Sequence, residues 1–86
     1  VAYSGSPIKR IKRRRFIRNV LIAMGNSGSV ELVPDVKRLL NDEEPDIRGA
    51  AVWALKRLAP DQFLAEKPAR VSLETDRQVR AEWNEM

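Results

Sequence analysis

One stripe of residues recurs along this chain, and it constrains the fold more than any other feature. Ile47, Ala51, Ala54, Leu55 and Leu58 share one face of a helix. Shifted back by 31 residues, the stripe becomes Phe16, Val20, Ala23, Met24 and Ser27, of which the first four keep their character. Shifted forward by 32, it becomes Val79, Trp83 and Met86. The entries match as well, Pro45-Asp46-Ile47-Arg48 returning as Arg77-Gln78-Val79-Arg80. A helix pair of this length cannot bury its apolar face alone and must stack on its neighbours. No segment alternates apolar and polar residues between turn signals, as a strand would. The expected fold is therefore all-α, an α-α superhelix of about two and a half helix pairs. The chain has 86 residues, which makes one domain or a piece of one, with a modest core.

Turn and cap residues set the boundaries. Ser6-Pro7 pairs a cap with a proline at the first helical position. Gly25-Asn26-Ser27-Gly28-Ser29 should stop one helix and cap the next, and Pro34 should disturb only an early turn. Helices are expected over about 14–25, 30–40, 45–58, 62–73 (kinked at Pro68) and 76–86, the last capped by Thr75 or Asp76. Helical phase separates the segment 1–13 from a repeat domain over 14–86. Extending the first stripe backward puts Lys9 and Arg13 on it, and Ile8 and Ile11 roughly 80–140° away. A straight helix would bury charge and expose isoleucine, so a break is expected near Lys12–Arg14, with Ser6 to Ile11 as a separate turn. Arg14 and Arg18 then fall on the outer face.

Composition removes most chemistry. There is no Cys, hence no disulfide, thiolate nucleophile or cysteine-ligated cluster, and no His, the usual general base and commonest metal ligand. The chain alone reads as no enzyme, with no metal and no cofactor. No apolar run approaches the ~20 residues of a membrane span, and no signal peptide is visible. A cytoplasmic monomer without membrane contact is expected. The chain starts at Val1, which reads as a piece of a longer protein.

The net charge of +4 is unevenly spread. Residues 1–19 hold Lys9, Arg10, Lys12, Arg13, Arg14, Arg15 and Arg18 and no acid, giving +7, while the remaining nine basic and twelve acidic residues leave −3. Such a block could neutralise several phosphates, and these seven residues are the candidate nucleic-acid-binding set. Against this stands the reading of a merely solvated face. Asp42-Glu43-Glu44-Asp46 lacks the alternating spacing of a calcium loop and suits a helix start. Arg48 and Arg80 recur just after the first stripe residue, where an ion pair with a neighbouring loop is expected. Trp53 lies on a second face, suited to packing or to stacking a base, and Trp83 lies on the stripe as core.

Two resemblances follow from these residues. Asp46-Ile47-Arg48-Gly49-Ala50-Ala51-Val52-Trp53-Ala54-Leu55 resembles the first helix of a HEAT-like repeat of the phycobilisome-lyase type. Four blocks in order resemble the C-terminal region of the epoxyqueuosine reductase family: Ser4 to Arg10, Arg15 to Gly28, Arg48 to Leu55 and Val79 to Trp83. That family implies an iron–sulfur and cobalamin oxidoreductase acting on the tRNA anticodon, with its catalytic domain upstream of the matching region. It implies a tRNA-binding accessory module here, whose partners are an anticodon stem-loop and that missing catalytic domain. A protein-interaction scaffold is the alternative.

Overall fold

The computed structural model describes residues 7–85. Ser6, expected as a cap, and Met86, expected on the last stripe, lie outside them. Among the described residues every regular element is helical. They are α1 (Pro7–Ser27), a 3₁₀ turn (Val30–Leu32), α2 (Val33–Leu39), α3 (Pro45–Leu58), α4 (Pro60–Leu73) and α5 (Arg77–Asn84).

α3 is the hub, and α1, α2, α4 and α5 all pack on it. Its sequence explains this. Ile47, Ala51, Ala54, Leu55 and Leu58 are buried, as the stripe requires, and Val52 widens the buried arc. Burying apolar surface on so many sides makes α3 the scaffold for the rest. α5 offers Val79 and Trp83, both buried, and the Trp83 ring stacks on Phe63 of α4 with centroids 5.3 Å apart. Asp76 starts α5 by accepting from the amides of Gln78 and Val79, so the expected cap forms.

α1 departs from expectation in two ways. It runs unbroken from Pro7 to Ser27, with no interruption at Lys12–Arg14 and no separate segment 1–13 over its described part. Ile11 stays exposed. Its buried face is also shifted by one residue. Leu21 is fully buried, and Ile17 and Met24 pack on the core, whereas Phe16 is 67% exposed. The offset that superposes α1 on α3 is thus 30 residues, placing Ile17, Leu21 and Met24 on Ile47, Ala51 and Ala54. Gly25 sets the phase. A Cβ there would lie 2.5 Å from Trp53 Cζ3 and 3.2 Å from the Ala54 Cα, so α1 and α3 approach too closely at this position for any side chain. It is a packing residue inside the helix, not the stop. The stop is Gly28, at φ 71°, a left-handed conformation that glycine adopts without cost.

Two smaller points concern proline. Pro34 disturbs only the early turn, as expected, with the 3₁₀ turn standing ahead of α2. Pro68 neither splits nor ends α4, which continues to Leu73. Pro68 lacks the N–H that would bond the Leu64 carbonyl, but both residues are exposed and water can take that carbonyl.

Candidate nucleic-acid interface

The seven cations of the basic block stand on one helix and do not share one fate. Arg10, Arg13 and Arg14 continue the inner face of α1 back from Ile17 and Leu21, at helical spacing. There α1 overhangs the loop that leads into α3. Arg13 Nη2 donates to Asp42 Oδ1 at 2.7 Å, and Arg10 Nε lies 3.7 Å from Glu44 Oε2. Arg14 spans Glu44 Oε1 at 3.9 Å and Asp46 Oδ2 at 3.5 Å. This pairing explains why α1 does not break: the charge that would have been buried against apolar residues meets carboxylates instead. Arg14 therefore faces inward, not outward with Arg18.

Burial alone would raise the Asp42 carboxyl. The Arg13 guanidinium and the Glu44 amide outweigh it and hold the group below its ordinary value. Arg13 is raised by the same hydrogen bond. The acidic run thus serves as a counterion for α1. It is not a side-chain cap, since Glu44 at the N-cap of α3 makes no such bond. Among the described residues no group of acidic side chains is placed to hold a metal ion. With neither Cys nor His, the chain offers no ligand set for an iron–sulfur cluster.

Lys12, Arg15 and Arg18 have no carboxylate among the described residues within ion-pair distance. Lys12 and Arg15 lie on the solvent face of α1 beside Phe16 and Asn19, and Lys9 is exposed as well. Arg18 stands at the rim of a groove of about 380 Å³ between α1 and α5. Gly49, Ala50 and Trp53 of α3 form its floor, and Glu82 of α5 lines the far wall, one carboxylate oxygen buried without a hydrogen-bond partner.

Trp53 takes the packing role. One side meets Gly25, and the Arg57 guanidinium lies 5.1 Å from the ring centroid while its Nε donates to the Gly25 carbonyl at 3.4 Å. The residues alone gave no hint of this Gly25–Trp53–Arg57 contact, because Gly25 sits among turn-forming residues.

Arg48 bonds the neighbouring loop as expected. Its Nε and Nη2 hold Glu74 at 3.0 and 2.8 Å, and its Nη1 donates to the carbonyls of Asp42 and Glu43. Burial would raise Glu74, but Arg48 and the Asp76 amide hold it below its ordinary value. Arg80 differs from the expected ion pair. It donates to the carbonyls of Val71 and Glu74.

The profile of the family described as HEAT repeats matches residues 12–82. An uncharacterized protein in gldA 3'region from Geobacillus stearothermophilus is 33% identical over 66 residues. The match takes in 76% of this chain and 31% of that relative, so the chain spans about a third of the relative's length. No solved structure matches the chain. No helix among the described residues is long and apolar enough to cross a membrane.

Proposed function

We propose a function from one premise: the chain belongs to the HEAT-repeat family. Stacked helix pairs of this kind make interaction modules. The ligand we assign to this one is an RNA, held through its phosphates. The observation that carries the reading is the division of the basic block. The acidic loop takes Arg10, Arg13 and Arg14, and Lys12, Arg15 and Arg18 keep their charge for a partner. Arg suits phosphate through its forked donors, and phosphate contacts position a ligand without reading sequence. The resemblance to epoxyqueuosine reductase narrows the RNA to a tRNA anticodon stem-loop. The module would hold it for a catalytic domain elsewhere in the longer protein, and that domain would carry the iron–sulfur and cobalamin chemistry. The chain itself is assigned no catalytic role.

Fluorescence anisotropy with an anticodon stem-loop at several salt concentrations tests this. Three phosphate contacts give a log–log slope of about −2 to −3. The triple variant Lys12→Ala, Arg15→Ala, Arg18→Ala should abolish the salt-dependent binding. Binding that ignores salt, or that survives the triple variant, overturns the RNA reading. A protein-docking scaffold would then lead, favoured by the groove between α1 and α5.

A further inference from the structure

The solvent face of α1 carries an aromatic ring that the fold does not use. Phe16 is 67% exposed, whereas Phe63 and Trp83 are each 2% exposed and Trp53 lies half-buried under Arg57. Lys12 precedes Phe16 by one helical turn, Asn19 follows by nearly one, and Arg15 adjoins it. All four side chains are exposed. They form one continuous face, because positions i, i+3, i+4 and i+7 of a helix are neighbours. Neither cation has a carboxylate in reach among the described residues, since the acidic loop lies on the opposite side of α1.

We propose that Lys12, Arg15, Phe16 and Asn19 form a binding site for unpaired RNA nucleotides, with Phe16 as the platform on which a base stacks. The proposal rests on the RNA reading and deepens it. A base offers its face to a ring only when it has left its own stack, so a protruding aromatic selects single strands, loops and bulges over duplex. Lys12 and Arg15 supply positive charge beside the ring, where the phosphates flanking a stacked base must lie. The Asn19 amide has both donors and an acceptor for a base edge. An acidic or apolar protein surface would use the charge or the ring, whereas unpaired RNA uses both together.

The test measures anisotropy of a labelled oligouridine of eight nucleotides and of a blunt RNA duplex of the same length. Variants are Phe16→Ala, Phe16→Trp and the double Lys12→Ala, Arg15→Ala. Phe16 contributes nothing to the core, so circular dichroism melts of these variants should match wild type. Expected are a loss of roughly tenfold for Phe16→Ala on the oligouridine, under twofold on the duplex, and retained binding for Phe16→Trp. The double variant should weaken both probes. If Phe16→Ala leaves oligouridine binding intact while the double variant weakens both probes, the stacking site is wrong and the phosphate reading stands. If neither variant changes binding, or wild type binds neither probe, both readings fail. Sedimentation that shows a dimer lost in Phe16→Ala assigns the ring to a second copy and also overturns the proposal.

Discussion

In the loop before α3, the Asp42 carboxylate accepts the Glu44 amide and the Arg13 guanidinium. In the loop before α5, Glu74 accepts the Asp76 amide and both arms of Arg48. Arg48 and Arg80 complete the parallel, each donating Nη1 to a loop carbonyl ahead of its own helix, that of Asp42 and that of Glu74. The two loops thus share their carboxylate, amide and Nη1 contacts at an offset of 32 residues, and in each an arginine from two helices earlier reaches the carboxylate, though Arg13 and Arg48 are not at equivalent repeat positions. They differ in the burial of the arginine, not of the carboxylate. The Arg13 side chain is 50% exposed against 18% for Arg48, while Asp42 at 11% and Glu74 at 9% are alike. An exposed pair contributes little, because water screens it and long side chains lose entropy. Breaking a buried pair leaves a desolvated charge without a partner. The internal junction between α3 and α5 should therefore be held by its ion pair, and the junction with α1 mainly by Leu21, Ile17 and Gly25.

The strongest perturbation removes the core on which both loops rest. Ala51 is fully buried, and Ala51→Asp places an unpaired charge there at a cost of several kcal/mol, against a total stability of about 5–15 kcal/mol. The variant should show no cooperative thermal transition by circular dichroism. A melt near wild type would remove Ala51 from the core. Next comes Arg48→Ala, which strands Glu74 and frees two loop carbonyls. It should cost about 2–3 kcal/mol in urea unfolding, and a loss under 1 kcal/mol would make the two loops energetically alike.

Acid should act on the same contrast. The carboxyls of Glu74 and Asp42 titrate below their ordinary values in the folded state. Their stabilisation is therefore full above the unfolded-state value and is lost as pH falls through the folded one. Unfolding free energy should decline as pH falls below about 5, with a shallower decline in Arg48→Ala. An unchanged acid slope in that variant would assign the loss to other carboxylates, such as Glu66 beside Arg70 and Lys37. The smallest effect is expected from Arg13→Ala, under about 1 kcal/mol and diminishing with added salt. A larger, salt-insensitive loss would show that the α1 junction also depends on its ion pair.

How much was legible in the residues varied along the chain. α3 spans Pro45–Leu58, the range expected from its proline, its one-sided stripe and the Ala59-Pro60 break. α5 was legible through Asp76, Val79 and Trp83. α1 was not. From Phe16 to Met24 it is apolar almost all round, so adjacent phases fit about equally well. The tertiary contacts pick one of them, among them the close approach of Gly25 to Trp53 and the pairing of Arg13 and Arg14 with the acidic loop. The candidate site followed the same logic. Its seven cations were evident, but which of them meet the acidic loop depended on Asp42, Glu44 and Asp46 arriving from a distant part of the chain.

The sequence by itself determined that this protein is a stack of helix pairs, because helical periodicity and proline, glycine and aspartate punctuation are local properties. It also determined that cysteine and histidine chemistry is absent and that positive charge gathers at one end. The tertiary structure decided which face of α1 turns inward, and through that which cations are neutralised and which aromatic ring meets solvent. Those outcomes depend on how closely two helices approach and on which carboxylates the approach brings near. Both are set by packing between residues far apart in the chain.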